Sequence, residues 1–420
     1  MRHTHAIGTN SNFKLTINDL RFTIQSQIVN RKSKITMNVS IIGLGQTEVK
    51  EMWETSIRHL AWYAIEAALD DAHVSKVDAL FVGNMLSGEL SQQNHLGALV
   101  ADFAGMRGIE AVTVEAADAS GGMALRQAIL AVKSGLVETA LAVGVEKMTD
   151  QTGSAVTAAM AYGLDADYEA MQGLTLAGMG ALLMRRYMFE HGVTVGDFAG
   201  FSVNAHANGA ANPLAMFRNR IKPERFATAP VVADPVNLFD MAPAADGAAA
   251  VIVTSREKAM DMVPQPVEII GSAVATDTIA LHDRRDLLRL RAAEISAQKA
   301  LAQAGLSPED MNLFELHDSF TVLAALSLEA AGFAARGEGW KLARDGEIGR
   351  NGRIPISTFG GLKARGNPMG ATGIYQIVEV TRQLRGQAGD NQIEGARVGM
   401  AQNLGTNGAT AVTHILRAAE

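Results

Sequence analysis

Two stretches of this 420-residue chain, 249 positions apart, follow one plan: a polar residue, glycines, then a long amphipathic run. Asp118-Ala-Ser-Gly-Gly-Met-Ala-Leu-Arg-Gln127 and Asn367-Pro-Met-Gly-Ala-Thr-Gly-Ile-Tyr-Gln376 share Gly121/Gly370 and Gln127/Gln376. Three further pairs occur in the same order. Ala68-Leu69 through Ala72 to Ser75 matches Ala300-Leu301 through Ala304 to Ser307, Leu80-Phe81 matches Leu313-Phe314, and Val143-Gly144 matches Val398-Gly399. The spacing grows from 232 to 255 positions along the chain, as loop insertions would make it grow, and so long a period excludes a solenoid. The chain is therefore expected to fold as two related halves, with a pseudo-twofold axis relating Asp118 to Asn367.

In the first half, strand and helix patterns alternate. Val39 to Leu44 reads as a strand, and Ser56 to Ala72 as a helix with apolar residues at Ile57, Leu60, Ala61, Ala64, Ile65 and Ala68. Val77 to Val82 and Glu110 to Val114 are strands, Ala119 to Ser134 is a helix stopped by Gly135, and Leu141 to Val145 is a buried strand. This alternation predicts an α/β fold, its parallel or mixed sheets covered by helices on both faces.

The halves differ at one corner. Residues 401–407 separate Met400 from Gly408, but Glu146 to Asp246 separate Val145 from Gly247, after which both halves resume alike. About a hundred inserted residues need structure of their own, and a cap over the functional site is expected. The predicted organisation is a first half over 37–260 with its insertion at about 146–246, and a second half over 266–420. Residues 1–36 carry six basic residues against the single acid Asp19. They read as a disordered arm or a start upstream of Met37, in preference to a transit peptide.

Composition narrows the function. A net charge of −7 gives no electrostatic footprint for nucleic acid. No apolar run reaches membrane-span length; Leu174 to Met184 comes nearest and is broken by glycines. A cytoplasmic protein is expected. The absence of cysteine excludes disulfides, thiolate metal sites and thiol catalysis. The ten histidines are scattered, with no His-x-x-x-His pair, so no metal is expected. Gly43-x-Gly45 lacks the third glycine of a dinucleotide fingerprint and no P-loop is present, so no cofactor is implied.

Six motifs in order carry a family resemblance: Val-Glu-Ala-Ala-Asp-Ala-Ser-Gly-Gly122, Val-Gly-Val-Glu-Lys-Met148, Asp-Gly-Ala-Ala-Ala250, Glu-Leu-His-Asp-Ser-Phe320, Gly-Asn-Pro-Met-Gly-Ala-Thr-Gly373 and Asn-Leu-Gly405. From Met37 to Glu420 the chain resembles a thiolase of the archaeal acetoacetyl-CoA thiolase and sterol carrier protein thiolase branch. The resemblance implies a duplicated five-layer fold with a loop domain inserted in the first half, CoA thioesters as substrates, and dimers or tetramers. It also implies a partner, the small zinc-ribbon and OB-fold acyl-CoA protein that often accompanies this branch.

The resemblance also implies two departures. Asp118 stands where such enzymes carry the nucleophilic cysteine, and Asn367 where they carry the histidine of Gly-His-Pro; the branch's other histidine is kept as His317. The missing cysteine at Asn403 is normal for the branch. Gly405 would contribute a backbone N–H to the oxyanion hole. Claisen condensation parks an acyl group on a thiolate whose pKa the helix start lowers and whose proton a histidine takes. An aspartate in that slot has a reference pKa of about 3.9 and is expected to stay ionised unless deeply desolvated. Its attack on a thioester would give a mixed anhydride, uphill with a thiolate leaving group.

Each residue also has a simpler role open to it. Asp118 would serve as a helix N-cap for the N–H of Gly121, Asn367 before Pro368 as a turn residue, and His317 before Asp-Ser as cap chemistry. The remaining candidates for substrate binding are Ser319, Gly370, the basic cap residues Arg218 and Arg220 for a phosphate, and His206 and Asn208 near the pantetheine channel that the resemblance implies. The expected function is acyl-CoA binding with thiolase activity absent or strongly reduced. Two alternatives stay open: decarboxylation or retro-aldol cleavage using Asp118, and a non-catalytic subunit of a thiolase complex.

Overall fold

The computed structural model describes residues 37–419; the extension expected over 1–36 lies outside the described residues. Eleven strands are present among them: β1 (Val39–Gln46), β2 (Ala79–Gly83), β3 (Glu110–Val114), β4 (Thr139–Glu146), β5 (Val231–Ala233), β6 (Val236–Asn237), β7 (Gly247–Ser255), β8 (Val267–Thr276), β9 (Leu313–Glu315), β10 (Val398–Gly405) and β11 (Thr410–Ala418). Seven helices bear on the site: α1 (Ile57–Ala72), α2 (Ser120–Ser134), α3 (Leu176–His191), α4 (Ala199–Gly209), α5 (Arg291–Ala304), α6 (Thr321–Ala330) and α7 (Thr372–Leu384).

Nine strands form one mixed sheet in the order β3-β2-β4-β7-β1-β8-β11-β10-β9. The duplication is visible in that order. β2 pairs parallel with β4 as β9 does with β10, and β4-β7-β1 is antiparallel throughout, as is β10-β11-β8. β3 has no counterpart in the second half. The two half-sheets are continuous, not separate: Val39, Ser40 and Ile41 of β1 pair with Ile269, Glu268 and Val267 of β8. Pairing the two equivalent strands removes an open edge from each half.

Five layers result. α1 packs on β1, β4 and β7, and α5 on β8, β10 and β11, forming the outer layers. α2 and α7, which follow Asp118 and Asn367, pack on each other and on strands of both halves. Their crossing explains the glycine shared by the repeats. A Cβ on Gly121 would lie 2.8 Å from the carbonyl oxygen of Gly370 and 3.0 Å from the nitrogen of Ile374, so only a bare backbone permits this approach. The insertion between β4 and β7 supplies α3, α4 and the β5–β6 pair. No helix among the described residues is long and apolar enough to cross a membrane.

Candidate active site

At the start of α2 the backbone bends sharply. Ala117 has φ 52°, unusual for a residue with a Cβ, and Ser120 holds the bend by accepting the N–H of Ala116 (2.9 Å) and donating to Ala117 O (2.5 Å). The bend turns Asp118 away from its own helix. Ala119 is the N-cap, and no side chain caps α2. The N-cap role available from the sequence is therefore not the one taken: the Asp118 carboxylate accepts the N–H of Thr406 (3.1 Å), donated from the β10–β11 hairpin of the other half.

Asp118 is 2% exposed. Burial raises its carboxyl to about 6, against the Thr406 N–H and the neighbouring Asn367 amide, which favour the charged form. The desolvation allowed for from the sequence is present, yet a carboxyl near 6 still leaves Asp118 mostly ionised at neutral pH.

His317, at the end of β9, is fully buried. Asn403 sets its tautomer. The Asn403 Oδ1 accepts the N–H of Gly122 (3.3 Å), so its Nδ2 is turned to donate to His317 Nδ1 (3.2 Å). The ring proton is thereby assigned to Nε2, which has no hydrogen-bond partner among the described residues and stands 3.9 Å from Asp118 Oδ1. Burial, reinforced by the Arg365 guanidinium, pulls His317 down to about 3. The ring is neutral, and the close pair is an N–H facing a carboxyl, not an ion pair.

Asn367 completes the group. Its Oδ1 accepts from Thr372 Oγ1 (2.8 Å), which fixes the amide, and its N–H donates to Pro243 O (3.1 Å). Asp118, Asn367, Ser319 and Thr406 line one small cavity whose other walls include Met160, Leu176, Met179, Leu183, Met241 and Phe320. Leu176, Met179 and Leu183 come from α3, so the insertion does form part of the wall.

The other candidates lie elsewhere. Gly405 backs the Asp118 bend, a Cβ there falling 2.9 Å from Ala116 O. Gly370 donates its N–H to Glu146 (3.1 Å), a buried carboxylate that also takes the N–H groups of Met85 and Leu86 and the amide of Asn84. His206 donates from Nδ1 to Asn219 O (3.2 Å) and stacks on Phe217; Asn208 donates to Ser357 O (3.0 Å). Both make internal contacts away from the cavity wall. Arg218 and Arg220 are on the surface. Sequence reasoning missed Thr406 and the orienting roles of Ser120 and Asn403, although the last two stood in motifs.

The raised carboxyl has a measurable consequence. An acid whose folded pKa (about 6) exceeds its unfolded value of 3.8 supports the fold below that unfolded value and loses this contribution as pH rises towards 6. Asp118→Asn removes the ionisation. Relative to wild type, the variant should be unchanged near pH 4 and more stable by about 3 kcal/mol near pH 8. Urea denaturation at both pH values checks this, and equal stability at pH 8 would show that the carboxyl is not desolvated.

Comparison with known proteins follows the same outline. The thiolase N-terminal domain family matches residues 39–257 and the thiolase C-terminal domain-like family residues 273–418. The acetyl-CoA acetyltransferase of Methanothermobacter thermautotrophicus is 44% identical over 380 residues, spanning 90% of this chain and 99% of that protein. Among solved structures, the Ltp2-ChsH2(DUF35) aldolase is 28% identical with a TM-score of 0.79, covering 91% of this chain and 98% of that one. Human mitochondrial 3-ketoacyl-CoA thiolase, 18% identical with a TM-score of 0.70, covers 91% and 99% and shares the fold.

Proposed function

The chain belongs to the thiolase family, and on that premise we propose that it binds acyl-CoA thioesters while covalent acyl transfer, the acetyl-CoA C-acetyltransferase reaction, is absent or strongly reduced. One observation carries this reading. At the helix start that we assign to the family's nucleophile stands a buried carboxyl, and the side chain beside it, Asn367, cannot exchange protons. An acyl group on Asp118 would be a mixed anhydride, uphill from a thioester with a thiolate as leaving group. No cofactor is required.

A second reading has its own support. Asp118, with a carboxyl near 6, is ionised at neutral pH and more basic than a solvated aspartate, which suits a general base. The Asn367 amide lines the same cavity, and His317 Nε2–H stands directly behind Asp118, 3.9 Å from its Oδ1. On a 3-hydroxyacyl thioester, Asp118 would take the hydroxyl proton. The bond between the α and β carbons would then break, the β carbon becoming an aldehyde or ketone. The electron pair would pass to a thioester enolate held by the His317 N–H. Returning the proton from Asp118 to the α carbon would complete a retro-aldol cleavage. The likeness to an aldolase favours this reading. That aldolase's name pairs it with a DUF35 subunit, which supports proposing a small zinc-ribbon and OB-fold partner here. A homodimer or tetramer in the cytoplasm completes the proposal.

Calorimetry with acetyl-CoA, followed by intact-protein mass spectrometry of the same mixture, tests the first reading. Binding without an added acetyl group is the expected result; a stable adduct mapped to Asp118 would overturn it. In a parallel incubation with 3-hydroxyacyl-CoA substrates, release of acyl-CoA and its loss in Asp118→Asn would select the aldolase reading.

A further inference from the structure

Thr406, which donates to Asp118, has a left-handed backbone with φ 51°. A β-branched residue keeps that conformation only where its surroundings impose it. The chain just beyond β8 supplies them. Asp277 N–H donates to Ala409 O (2.7 Å) and Asn407 Nδ2 to Ile279 O (3.2 Å). The strongest clamp is Arg284, whose Nη2 donates to both the main-chain oxygen and Oδ1 of Asn407, each at 2.8 Å.

Arg284 is an expensive residue to bury. It is 8% exposed, and its Nε and Nη1 have no acceptor among the described residues. Asp277 and Glu169 offset its charge through space. A buried cation so incompletely paired adds little net stability, and an apolar side chain of similar volume would serve packing as well. Its well-made contacts are all with Asn407, the neighbour of the residue that reaches Asp118.

We propose that Arg284 is a positioning residue: it clamps the Thr406–Asn407 turn so that the Thr406 N–H is aimed at the side chain of position 118. The inference rests on the reading of that position as the reacting one. His317 is the titratable group that faces position 118, at 3.9 Å, while Asp277 and Glu169 face Arg284.

The test uses a thiol as reporter. The chain has no cysteine, so Asp118→Cys carries a single thiol, and its pKa follows from the pH dependence of iodoacetamide alkylation read by intact mass. Losing one aimed N–H should raise that pKa by about one unit. In the Asp118→Cys background, Arg284→Met is expected to do so, and Arg284→Lys nearly as much, because an ammonium keeps the charge but not the forked grip on Asn407. A shift with Met and none with Lys would mean that charge, not position, is at work, and would overturn the proposal, as would no shift with either. Should Arg284→Met fail to fold, Asn407→Ala, which removes one of the two acceptors, is expected to give a smaller rise, and an unchanged pKa there counts equally against it. Alkylation needs no acyl-CoA chemistry, so failure of the native protein to bind acyl-CoA would leave this readout intact.

Discussion

An Asp118→Cys, Asn367→His double variant is expected to thiolyse acetoacetyl-CoA about a hundred- to ten-thousand-fold faster than Asp118→Cys alone, the usual worth of general-base assistance. A thiol at position 118 would receive the Thr406 N–H that now serves the carboxylate, and His317 would present its Nε2–H to the acyl oxygen. Asp118→Cys alone should acquire slow acetylation by acetyl-CoA and little turnover, because Asn367 cannot take the thiol proton. Asn367→His with Asp118 retained should gain nothing, since a base without a nucleophile opens no covalent route. Such non-additivity marks residues that act as one unit. Thiolysis rates for the four proteins decide the matter; background rates in all of them would mean that the cavity no longer accepts the substrate.

Gly373→Ala should destabilise the protein by about 3 kcal/mol or more, at the upper end of overpacking costs. Its Cβ would fall 2.3 Å from the nitrogen of Gly122 and 2.2 Å from Asn403 Oδ1. Relief requires either parting α2 from α7 or pushing Asn403 away, and the second would release the His317 tautomer. Gly153→Ala is the control: nothing lies within 4 Å of its Cβ, so a change within about 1 kcal/mol in the stabilising direction is expected. Urea midpoints at constant slope measure both. Equal midpoints for the two variants would show that the central helices have room to separate.

Much of this architecture is legible in the chain because duplication makes the sequence test itself. The inserted segment was visible as the interval the second half lacks. The repeat pairs β4 with β10 as equivalent strands, but not their register: Leu80-Phe81 lies beside Leu141-Ala142 and Leu313-Phe314 beside Gly399-Met400, so Val143-Gly144 and Val398-Gly399 are three residues out of step. Boundaries were read less well where polar residues are buried. The pattern for β4 stops at Val145, but the strand runs to Glu146, whose carboxylate is accommodated by donors from the chain at Asn84–Leu86 and from Gly370. The site was legible as three residues, Asp118 and Asn367 on one cavity wall and His317 with its Nε2 3.9 Å from the Asp118 carboxyl. Thr406 was not, because it acts through a backbone N–H that any residue but proline possesses. Arg284 was not, because its partners are main-chain and amide oxygens far away in sequence. The charge state of Asp118 depended on burial, which no local pattern encodes.

The strand order bears on how the protein is made. β1, the first described strand, lies between β7 and β8, so its main partner begins at Gly247, some two hundred residues later. During synthesis the earliest apolar strand must wait, unpaired, while the second, third and fourth strands and the whole insertion emerge. Such distant pairing closes slowly and leaves strand edges available to other chains meanwhile. Ribosome-bound nascent chains should thus resist protease only once Ser255 has cleared the exit tunnel, and high-level expression should depend on holdase chaperones more than native stability alone would suggest.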